Sequence, residues 1–96
     1  MVERILLEGG KEIPYKFSRG AFMAFEKAAG IRLAEFDTKG TIEHQLNLCY
    51  QAYKVGMQLD GKENTCMKFD EFIKLDNEHG FIDGMWGKME KEKKRE

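Results

Sequence analysis

One loop comes closest to a site that could do chemistry, because its acidic residues have the spacing of a calcium-binding loop. Asp60 and Glu71 stand at the first and twelfth ligand places of such a loop. The third place holds Lys62, and the sixth, where the sharp turn needs glycine, holds Thr65. Lys68 brings a second ammonium group to the ninth place. We therefore expect a polar loop followed by a helix start, and no calcium site.

The two histidines and the two cysteines do not form a metal-binding or catalytic set. Zinc sites pair their ligands a few residues apart, and His44, His79, Cys49 and Cys66 are not paired in this way. Both histidines are predicted to face solvent. Cys49 falls on an apolar helical stripe and is predicted to be a core residue, whereas Cys66 lies in a loop. No nucleophile, base and oxyanion donors come together, so we expect no catalytic residue, cofactor or metal.

The composition indicates one small domain. The chain has 96 residues, of which 42% are apolar, and 16 basic against 17 acidic side chains leave a net charge of −1. This near-balance argues against a protein held to nucleic acid by charge, because phosphate binding needs a surplus of Lys and Arg. The apolar share is enough for a core. We predict a single compact domain over residues 1–87 and a charged tail over residues 88–96.

The expected location is the cytoplasm. No apolar run approaches the ~20 residues that span a bilayer, and Glu3 and Arg4 interrupt the first apolar stretch, unlike the core of a signal peptide. In the cytoplasm both thiols stay reduced. We therefore expect no membrane contact and no disulfide.

The N-terminal residues predict a β-hairpin over residues 2–17. Two short apolar-rich runs flank Gly9 and Gly10, and glycines at a hairpin turn adopt positive φ without penalty. Pro14 cannot donate to a ladder, so its strand is expected to lie at an edge or to present that position to solvent. Since two strands alone are marginal in water, the hairpin must pack on helices or join more strands.

The rest of the chain predicts helices, so the expected fold class is mainly α (α+β): a hairpin followed by three to four helices. Ser18 is expected to cap the first helix, and Gly30 to end it in a left-handed conformation. Residues 31–40 are predicted to form a connector whose apolar side chains pack against the core. The helices are predicted at about 18–29, 41–60, 69–78 and 81–90.

The last helix has two interpretations. Phe81, Met85, Trp86 and Met89 lie on one face of it, and they either complete the core or form an exposed patch, since Met-rich aromatic faces adapt to partner helices. The tail at residues 88–96 carries five basic and three acidic side chains. It is either a solvated helix end or a segment that becomes ordered on a partner.

Three blocks of residues, together with the hairpin, have a layout shared with a known protein family. The blocks comprise Phe17, Ser18, Gly20, Ala21, Phe22, Phe25, Glu26 and Gly30; then Leu48, Tyr50, Ala52 and Tyr53; then Phe69, Glu71, Phe72, Ile73 and Asp76. Over most of its length the chain resembles the small tail assembly chaperones of long-tailed (siphovirus-type) bacteriophages and prophages. Each block is a generic helix pattern, and the family has no catalytic residues to carry over.

The resemblance implies a non-enzymatic role in the bacterial host cytoplasm. Such chaperones bind the long helical tape measure protein, keep its apolar surface from aggregating, help recruit tail tube subunits, and leave before the tail is complete. Many are also made as a longer product by ribosomal frameshifting. The corresponding hypothesis is that Phe81, Met85, Trp86 and Met89 contact the client while the tail keeps the complex in solution. A homo-oligomer is also considered, because so small a domain gains from association.

Several alternatives stay open at this point. The chain could be a structural head–tail or tail component that is retained in the virion, or a small protein-interaction module of a prophage. A nucleic-acid module would need a basic recognition helix, and the only concentrated positive charge is interleaved with glutamates in the tail. A calcium sensor would need the loop that Lys62 and Lys68 disfavour.

Overall fold

The computed structural model describes residues 2–94, with side chains described as far as residue 91. An N-terminal two-stranded hairpin is followed by five α-helices, which confirms the predicted fold class. The addition is α2, one helical turn within the predicted connector 31–40, next to a short 3₁₀ turn. The elements are β1 (Glu3–Leu6), β2 (Glu12–Tyr15), α1 (Arg19–Ala29), α2 (Phe36–Lys39), α3 (Ile42–Leu59), α4 (Phe69–His79) and α5 (Ile82–Lys94).

The hairpin is antiparallel, as predicted, and its turn depends on two glycines. The Leu7 N–H donates to the Lys11 carbonyl at 2.7 Å, and the Gly10 N–H donates to the Leu7 carbonyl at 3.0 Å. Gly9 and Gly10 have φ angles of 91° and 88°. Side chains with a Cβ rarely adopt this region, so glycine is required at both positions.

Helix α3 covers the outer edge of β2. The Lys16 N–H donates to the Ala52 carbonyl at 3.0 Å. Gly56 lies against the backbone of Pro14 and Tyr15, so closely that a Cβ on Gly56 would be 2.5 Å from the Pro14 carbonyl carbon. Pro14 therefore occupies an edge, as predicted, but it is buried beneath α3 rather than exposed to solvent.

Side-chain caps begin two of the helices. The Ser18 Oγ accepts the Ala21 N–H at 3.2 Å, and Gly30 ends α1 with φ of 75°; both features were predicted. At the start of α3, Thr41 Oγ1 accepts the His44 N–H while His44 Nδ1 accepts the Thr41 N–H. This reciprocal pair is a capping box that satisfies two backbone donors.

The core consists of two clusters that meet at Phe17 and Trp86. The larger one joins the hairpin to α3, α4 and α5, and the smaller one lies under α1 and the connector. As predicted, the apolar side chains of the connector pack against the core. The smaller cluster contains Phe25, Leu48 and Met89, with Phe22, Ala29, Ile31, Leu33 and Phe36 packed around it.

Helix α5 continues past residue 87, where the compact domain was predicted to end. It runs to Lys94 without a break, and Met89 is buried within the smaller cluster. The first part of the predicted tail is therefore helical. Residues 95 and 96 of that prediction lie outside the described residues.

Candidate functional site

The four residues predicted to bind a partner do not form an exposed patch. Phe81, Met85 and Met89 are buried, and Trp86 is half-buried with its ring centroid 5.0 Å from that of Phe36. The exposed-patch interpretation is therefore wrong, and the alternative interpretation, that these residues complete the core, is confirmed. The reason is that α5 turns its apolar face toward α3 and the hairpin.

The loop that resembles a calcium site holds an ion pair between two elements. The Arg4 guanidinium donates two hydrogen bonds to the Asp60 carboxylate, at 2.6 and 2.8 Å. These bonds lower the pKa of Asp60 below its ordinary value. Among residues 2–94, no group of three or more His, Cys, Asp and Glu side chains is placed to hold a metal ion. The observed role of Asp60 is to fasten the end of α3 to β1.

Burial affects the thiols of both cysteines. Cys49 is buried in the larger cluster, as predicted, and burial raises the pKa of its thiol far above the ordinary value. Cys66 is half-buried in the loop before α4, and burial also raises its pKa. Because the thiolate is the reactive form, the raised pKa disfavours that form at both residues.

The two histidines occupy different surroundings. His44 was predicted to face solvent, and this is wrong: it is half-buried, with its ring edge-on to Phe25 at a centroid distance of 6.2 Å. Its Nδ1 is occupied by the capping bond. His79 lies at the exposed end of α4, as predicted, with Nε2 3.9 Å from a Glu78 carboxylate oxygen.

The apolar surface of the molecule lies elsewhere than the sequence predicted. Four large apolar side chains are more than half exposed among the described residues, and none of them belongs to α5. They are Leu6 (71% exposed), Met23 (69%), Ile42 (76%) and Leu59 (57%). Two of them, Met23 and Leu59, are on the helices that border a groove.

This α1–α3 groove has a volume of about 370 Å³. Helix α1 contributes Gly20 and Ala24, which are one turn apart and offer almost no side chain. Helix α3 contributes one of its faces, and the loop after α3 completes the lining. The lining residues are Gly20, Ala24, Gln51, Lys54, Val55, Gln58, Glu63 and Cys66.

The borders of the α1–α3 groove combine exposed apolar and polar groups. Met23 follows Gly20 by three residues and Leu59 follows Val55 by four, so each lies on the helix surface next to a lining residue. Lys54 has its ammonium nitrogen 5.4 Å from the centroid of the Tyr50 ring. The combination of small lining residues and adaptable apolar neighbours suits an amphipathic helix.

Sequence reasoning missed the α1–α3 groove because two helices that are distant in sequence form it. A signal was present in α1, where Gly20 and Ala24 repeat at a spacing of four on the face next to the one that carries the buried Ala21 and Phe25. That signal alone does not reveal which element lies beside the small residues.

A second groove, of about 450 Å³, runs beside β1. Leu6 and Glu8 border it on the hairpin side, and the corner between α4 and α5 borders it on the other. That corner contributes Gly80 and Gly84, which place no side chain in the space.

Comparison with known proteins assigns no family. No protein-family model, curated protein sequence or solved structure matches this chain. No helix within residues 2–94 is long and apolar enough to cross a membrane.

Proposed function

We propose that this protein is a tail assembly chaperone of a long-tailed phage or prophage. It binds and solubilises the tape measure protein in the bacterial host cytoplasm and helps to recruit tail tube subunits. The resemblance of the sequence to such chaperones supports this proposal, and so does the α1–α3 groove, which carries the structural part of it. The groove is the proposed client site.

The shape of the α1–α3 groove supports a helical client. Gly20 and Ala24 leave the α1 backbone open to close approach, which small residues permit between packed helices. Met23 and Leu59 are exposed beside it, and an unbranched methionine adjusts to different apolar partners. A tape measure protein presents repeated helical faces, so one groove can serve many segments of it.

The polar groups of the α1–α3 groove support binding that can be reversed. Gln51, Lys54, Gln58 and Glu63 line it beside the apolar residues. A client helix that rests on so mixed and shallow a surface gains affinity from few buried anchors, and this limits the binding free energy. Release before the tail is complete requires such modest affinity.

The α1–α3 groove replaces the apolar face of α5 as the proposed client site. Because Met85 and Trp86 belong to the core, their replacement changes the stability of the fold together with any binding. Changes at Ala24 and Val55 reduce this complication, because both side chains line the groove on α1 and α3 and neither is fully buried.

The test is capture of the tape measure protein from the same genome by purified full-length chain. The variants Ala24→Glu and Val55→Glu place a carboxylate in the groove, and we expect each to weaken binding about tenfold or more, because a buried unpaired charge is strongly unfavourable. The matched control is Ile42→Glu. It introduces the same charge at an exposed apolar position of α3 outside the groove, and it is expected to bind like the unmodified chain.

Two outcomes would contradict the proposal. Failure of the unmodified chain to bind the tape measure protein would remove the chaperone function. Equal weakening by Ala24→Glu and Ile42→Glu would remove the α1–α3 groove as the client site. Recovery of the protein from purified virions would favour the alternative, a structural component that is retained in the particle.

A further inference from the structure

The two edges of the hairpin differ in what covers them. Helix α3 covers the outer edge of β2 through the bond from Lys16 to Ala52. On β1, the Leu7 N–H bonds to Lys11 of the opposite strand. Because the bonding residues alternate along an antiparallel ladder, the N–H and C=O groups of Ile5 also point toward β2. The N–H and C=O groups of Arg4 and Leu6 therefore point outward. Within residues 2–94, no backbone group outside the hairpin bonds to them.

As an edge strand, β1 is protected by its length of only four residues and by the charge of Glu3, and the other usual protections are weak or missing. Natural edges are blocked by proline, by bulges or by charged side chains, lysine above all. The proline of this hairpin is in β2, and its register with β1 is regular from Glu3 to Leu6. Arg4, the one cation of β1, is turned back to Asp60 at 2.6 Å and toward Glu12 at 3.7 Å. Leu6 is left 71% exposed at an open edge.

We propose that this edge binds the same edge of a second copy of the chain. The two β1 strands pair antiparallel and form a four-stranded sheet with the order β2–β1–β1–β2. The segment from residue 4 to residue 8 reads Arg-Ile-Leu-Leu-Glu, and this order is complementary to itself when one copy is reversed. The symmetry is that of an isologous dimer.

Charge and hydrogen bonding select one register for this pairing. In the register centred on Leu6, the two Leu6 residues lie opposite each other, and their outward N–H and C=O groups are in position to bond. This register also puts Glu8 of the second copy opposite Arg4, whose guanidinium keeps its two bonds to Asp60 and gains a second carboxylate across the strands. Centred on Arg4, it would put two guanidinium groups opposite each other. Centred on Ile5, it would leave Glu8 without its cation.

The groove beside β1 leaves room for the second strand. Its floor at the α4–α5 corner contains Gly80 and Gly84, and a Cβ on Gly84 would come no closer than 4.0 Å to Ile5 Cδ1. The two glycines of that corner place no side chain in the path of the second copy's turn, and Glu78, His79 and Phe81 form the rest of the corner's lining. The contact is small compared with interfaces that hold permanent dimers, so we expect a weak dimer that forms at high concentration.

The test is sedimentation velocity of the full-length chain over a concentration series up to the millimolar range. The unmodified chain is expected to form a dimer. Leu6→Lys is expected to weaken that dimer about 100-fold, since two buried leucines are lost for each pair. Glu8→Arg places like charges opposite each other and is expected to weaken it less. The matched control, Ile42→Lys, changes an equally exposed residue away from β1 and leaves the dimer unchanged.

Hydrogen exchange identifies the interface. The Leu6 amide is expected to exchange more slowly as the concentration rises, while the amides on outer faces of α1 keep their rates. A chain that stays monomeric at millimolar concentration would overturn the proposal, and so would a dimer that Leu6→Lys leaves intact. A monomer that protects Leu6 only when the tape measure protein is added would show that the edge receives a client strand instead. The dimer measurements use the chain alone, without a client, so they succeed or fail independently of the proposed chaperone function.

Discussion

Glycine and methionine residues have opposite environments on the two sides of α3. On the side that faces the hairpin and α5, Gly56 is pressed against the backbone of β2, and Met85 is fully buried. On the side that faces the α1–α3 groove, Gly20 has room for a Cβ, with Ser18 Oγ at 3.6 Å, and Met23 is exposed. One side is a packed interior and the other is an available surface.

This difference shows how a small domain combines stability with a binding surface. Its core is concentrated between α3, α4, α5 and the hairpin, where the aromatic rings of Tyr50, Tyr53, Phe72 and Phe81 lie 5.2 to 6.1 Å from their neighbours. The outer face of the α1–α3 pair, beyond the smaller cluster of Phe25, Leu48 and Met89, can then keep small and exposed residues. Substitutions that are matched between the two sides test this division.

The largest expected contrast is between two methionines. Met85→Ala leaves a cavity in the larger cluster and is expected to lower the free energy of unfolding by about 4 kcal/mol. Met23→Ala is expected to change it by less than about 0.5 kcal/mol, because the side chain is mostly in solvent. Urea denaturation measures both. Equal effects would mean that the core is not concentrated on the α5 side.

The next contrast is between two glycines. Gly56→Ala puts a methyl group 2.5 Å from the backbone of Pro14 and Tyr15, so α3 and β2 must separate. We expect a loss of about 3 kcal/mol in the free energy of unfolding. Gly20→Ala meets only ordinary contacts and is expected to stabilise α1 by about 0.5 kcal/mol. Thermal unfolding of both variants checks the prediction, and a stable Gly56→Ala protein would contradict the close approach.

A smaller effect is expected at Tyr53, which lies on the packed side. Its hydroxyl accepts the Met67 N–H at 2.9 Å, so Tyr53→Phe leaves that donor unpaired and is expected to cost about 1–2 kcal/mol. Burial raises the pKa of Tyr53 from 10.0 to about 12.

The raised pKa of Tyr53 gives the prediction a pH dependence. In the unfolded chain this hydroxyl ionises at a lower pH than in the folded chain. Its contribution to the free energy of unfolding is therefore complete below pH 10 and is lost as the pH rises through about 12. The free energy of unfolding, measured from pH 8 to pH 11, is expected to fall more steeply for the unmodified chain than for Tyr53→Phe. Parallel curves would contradict this.

The smallest effect is expected for an ion pair at the surface of the connector between α1 and α3. The Glu35 carboxylate accepts bonds from Lys39 Nζ at 2.8 Å and from the Arg32 N–H at 3.1 Å. These bonds lower its pKa from 4.5 to about 2. The contribution is therefore present above pH 4.5 and is lost as the pH falls through about 2.

The Glu35 prediction is checked by NMR titration of its side-chain carbon. Lys39→Met is expected to raise the pKa of Glu35 toward its ordinary value while the unfolding midpoint at pH 7 hardly changes, because exposed ion pairs contribute little. A large loss of stability would contradict the small contribution expected of this ion pair.

The local features of the fold were predictable because each depends on neighbours in sequence. The Gly9–Gly10 turn, the Ser18 cap and the Gly30 helix end all follow from the φ preferences or hydrogen-bonding groups of a few adjacent residues. The helix bounds follow from the apolar period. For His44 this reasoning failed, since its ring packs on Phe25 of another helix.

The candidate site was not predictable in the same way. The periodicity of α5 marked one apolar face, but it did not decide whether that face meets the core or solvent, and the same ambiguity applied to Met23 in α1. Gly56 and Gly20 are also alike in sequence terms, although one touches a strand and the other lines a groove.

The sequence by itself determined the elements, their caps and turns, and the amount of apolar surface that had to be buried. Only the tertiary structure decided which apolar faces were buried, that α3 covers β2 and leaves β1 open, and that α1 and α3 enclose a groove. The physical reason is the distance along the chain over which each effect acts. Backbone preferences and capping bonds act over a few residues, whereas burial depends on which distant segments arrive at the same place.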